Sequence, residues 1–77
     1  MNKARREWIQ ELAEKLFDIA DELSSVADEE MLAYENLPES LQYGEKGEQM
    51  SDNADNLEQA SQDVRDIIDT LNDIIGQ

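Results

Sequence analysis

Apolar residues recur along the first half of the chain at alternating steps of three and four. A first stripe of such positions runs from Ile9 to Leu37 and is interrupted by Glu30. A second stripe runs beside it at the same spacing and comprises Ala13, Phe17, Ala20, Ser24, Ala27, Met31 and Tyr34. This periodicity is typical of an amphipathic α-helix, and two adjacent stripes make a face wide enough to contact more than one neighbour. We therefore predict a first helix over about residues 3–36.

The helical pattern breaks at Pro38. Proline lacks a backbone N–H and disfavours helix in the residue before it, so the first helix is expected to end there. Pro38 is suited to the first position of a single helical turn over residues 38–42. Gly44 and Gly47 then indicate a flexible connection. We place a linker at residues 37–47.

The rest of the chain predicts a second amphipathic helix, over about residues 48–75. Leu57, Val64 and Leu71 lie seven residues apart along the centre of its apolar face. The flanks of that face are Ala54, Ser61, Ile68 and Ile75 on one side and Ala60, Ile67 and Ile74 on the other. Because short connections favour antiparallel neighbours, we predict an all-α fold in one domain, an antiparallel hairpin of two long helices.

A single hairpin leaves the outer parts of both wide apolar faces in water. The chain has 77 residues and no cysteine, so its core is small and has no disulfide support. Two hairpins packed together cover both faces as a four-helix bundle, and we therefore expect a homodimer; completion by a different partner is the alternative. The residues expected in the core or at the oligomer contact are Phe17, Ala20, Ala27, Met31, Tyr34, Ile67 and Ile74.

Charge indicates what such a bundle binds. Twenty acidic residues face six basic ones, which gives a net charge of −14. Such a chain repels DNA, RNA and anionic membranes, and it attracts basic protein surfaces. Solubility is the simpler explanation of the acid, since high net charge keeps a small domain in solution. With neither a targeting segment nor an apolar run of membrane-spanning length, we expect the protein in the cytoplasm.

The basic residues are concentrated near the start of the chain. Lys3, Arg5 and Arg6 lie at the N-terminal end of the first helix, where the helix dipole disfavours cations. An antiparallel hairpin brings them beside the C-terminal end of the second helix, and we expect them to pair with Asp69, Asp73 and the chain terminus.

Catalytic chemistry has few candidates in this sequence. Histidine and cysteine are absent, which removes the commonest general base, the thiolate nucleophile and the usual zinc ligands. Residues 52–56 resemble the start of a calcium loop, but Ala54 occupies a ligand position and the stretch continues a helical pattern. We expect a protein that is not an enzyme and has no cofactor.

Acidic residues recur at helical spacing along the second helix. Positions three or four apart on a helix lie about 5–6 Å from each other, so these carboxylates form a ridge over roughly 30–40 Å. The acidic ridge comprises Asp52, Asp55, Asp63, Asp66, Asp69 and Asp73. Phosphates repeat at comparable spacings along a duplex. A rigid acidic helix could therefore occupy a protein groove built for nucleic acid.

Two aromatic residues lie outside the stripes. Trp8 is near the start of the first helix, and Tyr43 is in the linker. Each could close one end of the core, or each could be an exposed anchor for a partner, since aromatic residues are enriched at binding hot spots.

The segment NLPESLQ at residues 36–42, followed by GEQM at 47–50 and DNLEQA at 55–60, resembles a recurring set of small phage and prophage proteins. Those proteins similarly have a Met-Asn-Lys start, a long helix, this linker and a second acidic helix. The resemblance carries over no functional residue. It implies the cytoplasm of a bacterial host, and small acidic phage proteins of this kind are often inhibitors of host machinery or host defence.

The leading hypothesis is a phage-type inhibitor that blocks a host protein, such as a defence nuclease or its nucleic-acid-binding complex, through acidic contacts. The alternative is a homo-oligomeric structural, assembly or adaptor module that works through its apolar stripes. A third hypothesis is an antitoxin-like chain that folds with a basic partner.

Overall fold

The computed structural model describes residues 1–77 and contains three helices and no strand. Helix α1 spans Lys3–Glu35, the short α2 spans Glu39–Gln42 and α3 spans Glu45–Ile75. α1 and α3 pack against each other as a hairpin, and the molecule measures 59 × 14 × 12 Å. The predicted all-α hairpin of two long helices is confirmed.

The turn between the long helices is more ordered than the sequence indicates. Pro38 precedes α2 in an extended conformation instead of forming its first residue. The side-chain amide of Gln42 then donates to three backbone carbonyls, those of Tyr34, Glu35 and Leu37, at 3.4, 3.2 and 3.0 Å. The carbonyls of Tyr34 and Glu35 belong to the last turn of α1, where partners one turn further along the helix are missing, and Leu37 lies just beyond its end. Gln42 therefore caps α1 from the turn.

Gly47 is not part of a flexible connection, and that prediction is wrong. It is buried inside α3, which begins at Glu45, three residues before the expected start. A Cβ atom here would overlap the carbonyl of Gln42 and lie 2.6 Å from the carbonyl oxygen of Leu41. Glycine is therefore needed for the close approach of α3 to the turn, and not for a special backbone angle.

Small residues line the contact between α1 and α3. We call this contact the seam; its buried residues are Ala13, Ala20 and Ala27 of α1 and Gly47, Ala54 and Ser61 of α3. In each helix these residues are spaced seven apart. Because the distance between packed helices depends on the side chains at the contact, such small residues let the two backbones approach closely.

Ser61 fixes the register of the seam. Its hydroxyl is fully buried and donates to the carbonyl oxygen of Ala20 at 2.7 Å. The Ser24 hydroxyl lies 2.8 Å from Ser61 Oγ. A serine hydroxyl has one hydrogen, so Ser24 is the donor in that second bond. Counting in opposite directions from the Ala20–Ser61 level places Tyr34 at the level of Gly47.

The hairpin is a flat ribbon whose two sides differ in composition. Residues one or four positions before each seam position turn to one side, which we call the apolar side. They are Ile9, Leu12, Leu16, Ile19, Leu23 and Val26 of α1 and Met50, Asn53, Leu57, Ala60, Val64, Ile67, Leu71 and Ile74 of α3, with Lys46 next to the turn. Residues just after each seam position turn to the polar side: Gln10, Glu14, Phe17, Asp21, Ser24, Asp28 and Met31 of α1 and Ser51, Asp55, Glu58, Gln62, Arg65, Asp69 and Asn72 of α3. The seam therefore runs along the Ala54–Ser61 flank of the predicted apolar face of α3.

The open end of the hairpin, opposite α2, brings the first and last residues together. Arg6 Nη2 donates to the backbone oxygen of Gln77 at 2.8 Å. The expected contact with the chain terminus is therefore formed, whereas the expected pairing with Asp69 and Asp73 is not. Lys3 Nζ instead lies 3.8 Å from Glu7 within α1, and Arg5 turns to the apolar side, away from both aspartates.

Candidate interaction surfaces

The apolar side carries large hydrophobic side chains that no other part of the chain covers. Leu12, Ile19, Val26 and Ile67 are 42–51% exposed, and their neighbours on this side are half-buried. Neither helix contributes a charge between Ile9 and Val26 or between Leu57 and Ile74 on this side. Soluble monomers rarely expose continuous apolar patches of this kind, and such patches mark interaction sites.

The residues predicted as one core or oligomer stripe are divided among three surfaces. Ala20, Ala27 and Tyr34 lie along the seam, although Tyr34 is half-buried. Phe17 and Met31 lie on the polar side. Ile67 and Ile74 lie on the apolar side. The structure therefore does not bring the seven residues together.

Leu12, Ile19 and Val26 belong to the first apolar stripe, but the stripe alone does not identify them as an exposed contact surface. A signal was present in the sequence, because these three large residues are spaced seven apart, one position before the alanines at 13, 20 and 27. The alanines lie in the seam, whereas the large residues lie on the apolar side. The spacing is the same for both sets, so it does not show which set joins the two helices.

A small cluster joins the two helices across the polar side. Arg65 Nη2 of α3 donates to Asp21 Oδ1 of α1 at 2.7 Å. The same guanidinium lies 5.5 Å from the centroid of the Phe17 ring, which is half exposed. A cation over an aromatic ring is favourable, and here it covers part of an apolar ring that would otherwise face water.

The acidic ridge of α3 is a band that bends around the helix. Asp52, Asp66 and Asp73 lie on the edge of α3 that faces away from α1, whereas Asp55 and Asp69 turn towards the polar side. All six ridge aspartates are exposed. Two of them accept hydrogen bonds from glutamines one turn earlier: Gln59 donates to Asp63 at 2.9 Å and Gln62 to Asp66 at 3.3 Å.

Both helices contribute acid to the polar side, and a single helical pattern could not show this. Glu14, Asp21 and Asp28 of α1 stand across the seam from the polar-side acids of α3, which are Asp55, Glu58 and Asp69. Between Gln10 and Met31 of α1 and between Ser51 and Asn72 of α3, Arg65 is the single cation on this side. The negative surface therefore extends from the ridge across the whole polar side.

Trp8 and Tyr43 are exposed and do not close the ends of the core. Trp8 is 65% exposed, and Tyr43 is 77% exposed. Trp8 adjoins Met1, Arg5 and Leu12 at the open end. This position fits the alternative of an exposed anchor next to the apolar side.

The structure shows no group of three or more acidic side chains placed to hold a metal ion. Residues 52–56 continue the regular helix of α3, so they do not form the turn that a calcium loop needs. None of the helices combines the length and apolar content that crossing a membrane requires. Comparison with protein-family models, with curated proteins and with solved structures gives no match.

Proposed function

We propose that the protein is a non-enzymatic, phage-type binding protein that inhibits a host protein by placing acidic surface where that protein holds nucleic acid. Two copies join through their apolar sides as a four-helix bundle, and the acidic surfaces remain outside. The target is a host protein with a basic groove, such as a defence nuclease or its nucleic-acid-binding complex.

The observation that carries this proposal is the division of the hairpin surface. The apolar side carries no charge between Ile9 and Val26 of α1 or between Leu57 and Ile74 of α3, and charge is concentrated on the polar side and the outer edges. Solubility requires acid somewhere on the surface, but it does not require a long section of one side without charge. The division supports two separate contacts, one apolar and one electrostatic.

The geometry of the acidic ridge supports the electrostatic contact. Asp52 and Asp73 lie twenty-one residues apart on a continuous helix, or about 32 Å. The helix holds the carboxylates at fixed spacing, so binding a basic groove requires little ordering of the chain. Like charges three or four residues apart destabilise a helix, and the hydrogen bonds from Gln59 and Gln62 hold two of these carboxylates in place.

The test is direct binding to a basic host protein recovered with the tagged protein from bacterial lysate. We expect the affinity to fall as salt rises and duplex DNA to compete for the same site. The ridge variant replaces Asp63, Asp66, Asp69 and Asp73 by Asn, and we expect it to bind at least about tenfold more weakly.

A matched control separates the ridge from total charge. Replacing Glu35, Glu39, Glu45 and Glu48 by Gln removes four charges near the turn. We expect a smaller loss of affinity than in the ridge variant. Unchanged binding by the ridge variant would contradict the ridge as the contact, and equal losses would show that net charge alone acts.

The exposure of Leu12, Ile19, Val26 and Ile67 favours a second candidate, an adaptor or assembly module that docks a different protein on the apolar side. Three results together would favour this candidate: the isolated chain is a monomer, its binding to the partner resists salt, and Ile19→Asp abolishes that binding.

For the antitoxin-like alternative, the circular dichroism of the isolated chain should show little helix until a basic partner is added.

A further inference from the structure

The apolar side of α1 has one charge at each of its ends. Its apolar row runs from Ile9 to Val26, and the next residues of the row are Arg5 towards the open end and Glu30 towards the turn. Glu30 is half-buried and is the residue that interrupts the first apolar stripe. The two charges of α1 are of opposite sign. α3 adds no charge to this side between residues 47 and 75, and its one charge here, Lys46, lies in its first turn.

The spacing of this row is symmetric about its centre. The midpoint between Ile9 and Val26 is also the midpoint between Arg5 and Glu30, and each charge lies about 19 Å from it along the helix. A two-fold axis at this point pairs Ile9 with Val26 of a second copy. It also sets Arg5 against Glu30. Within one copy these two residues are about 38 Å apart and cannot pair.

The distribution of total charge favours one orientation of two copies. The open half, residues 1–18 and 64–77, holds five basic and seven acidic residues, a net of −2. The turn half, residues 19–63, holds one basic and thirteen acidic residues, a net of −12. Packing two turns at the same end would set the two −12 halves side by side. Packing them at opposite ends sets each −12 half against a −2 half.

We infer that a second copy of this chain covers the apolar side in an antiparallel arrangement. α1 lies against α1 of the partner, the two turns are at opposite ends, and Arg5 of each copy pairs with Glu30 of the other. This inference rests on the dimer of the proposed function and adds its orientation.

The exposed area matches what a stable dimer needs. The single hairpin exposes 5668 Å² for a mass of 8.8 kDa, whereas a compact monomer of that mass exposes about 4,800 Å². The excess is about 900 Å². A specific interface of standard size buries about 800 Å² on each partner.

The first experiment measures a distance across the dimer. The chain has no cysteine, so Leu32→Cys gives a single spin-label site on the outer edge of α1, away from the apolar side. We expect a label-to-label distance of about 44 Å along the antiparallel bundle. A distance of about 20–25 Å, across a bundle with both turns at one end, would overturn the orientation and leave the dimer standing.

A monomer at every concentration tested would overturn both the orientation and the dimer of the proposed function. The acidic contact would then be judged by the ridge variant alone, because that experiment does not depend on self-association.

The second experiment reverses the charges. We expect Arg5→Glu and Glu30→Arg each to raise the dimer Kd about tenfold, since each dimer contains two such pairs. The double variant should return to within about threefold of the original Kd. Because the two residues cannot meet within one copy, restoration can arise only between copies.

The matched control is Lys3→Glu combined with Glu29→Arg. It makes the same pair of charge changes at residues that do not face the apolar side. We expect the effects of its two substitutions to add without restoration. Absence of restoration in the Arg5 and Glu30 double variant would overturn the pairing.

Discussion

The apolar side and the polar side are built by the same two helices with the same spacing, yet they have opposite character. One position before the alanines of α1 stand Leu12, Ile19 and Val26; one position after them stand Glu14, Asp21 and Asp28. A difference of two positions in a repeat of seven thus separates an apolar side from an acidic one. The alanines between them hold the hairpin together.

This division places the hydrophobic stabilisation unevenly. Alanine, glycine and serine in the seam bury little apolar surface, whereas full burial of one leucine or isoleucine contributes about 1.5–3 kcal/mol. Most of the large side chains lie on the apolar side and are only half-buried in a single copy. We therefore expect folding and association to be coupled, so that the melting temperature rises with protein concentration.

The largest expected effect comes from placing a charge on the apolar side. Ile19→Asp puts a carboxylate near the centre of the proposed dimer contact, where it is removed from water without a partner. We expect the dimer Kd to rise at least about 100-fold, as measured by sedimentation equilibrium. Phe17→Asp is the matched control, because it adds the same charge two positions away on the polar side. Equal effects of the two variants would contradict the difference between the sides.

A second variant tests the seam that separates them. Ala20→Leu adds three carbon atoms where α1 approaches Ser61, so the helices must move apart. We expect the free energy of unfolding in urea to fall by about 1–3 kcal/mol. Ala4→Leu, at an exposed position in the first turn of α1, should change it by less than about 0.5 kcal/mol. Full stability of Ala20→Leu would mean that the helices are not in close contact.

A third prediction concerns the repulsion among acidic residues. Because the chain carries a net charge of −14, salt should screen the repulsion and raise the melting temperature by several degrees between about 20 and 500 mM NaCl. The ridge variant lacks like charges one turn apart. Its melting temperature should therefore be higher at low salt and should rise less as salt is added. The control is again the variant with Gln at residues 35, 39, 45 and 48. If its melting temperature rises with salt as steeply as that of the ridge variant, the effect is due to net charge.

The smallest expected effect comes from the cluster on the polar side. Arg65→Ala removes the ion pair with Asp21 and the contact with the Phe17 ring, all of them partly exposed. We expect a loss of no more than about 1 kcal/mol in stability, and no change in dimer Kd. Lys15→Ala, at an exposed cation that makes no ion pair, is the comparison. A loss of dimer in Arg65→Ala would show that the polar side takes part in association.

The sequence predicts the helices and their hairpin because those depend on local patterns. Pro38 marks the end of α1, and the repeat of three and four marks both helical faces. The choice of seam does not follow from that pattern. Large residues bury more apolar surface, whereas small residues let the helix backbones approach closely. Which of the two sets forms the seam depends on how both helices pack together.

Gly47 and Arg65 show the same limit. Glycine after a proline-containing turn resembles a loop residue unless the position of Gln42 is known. The ion pair of Arg65 with Asp21 depends on how far the turn offsets one helix against the other. The acidic ridge, in contrast, follows from spacing within one helix, although its bend towards the polar side requires the position of the seam.

The well-fixed turn has a consequence for the order in which the hairpin forms. Next to the turn, bringing Tyr34 level with Gly47 closes a loop of about thirteen residues. If Arg6 met the end of α3 first, the loop would include nearly the whole chain. Since the entropy of loop closure grows with loop length, we expect α1 and α3 to zip together from the turn outwards, one repeat at a time. The open end then forms last and frays first. Trp8, the single tryptophan, lies at that end, so its fluorescence should report the completion of folding and not its start.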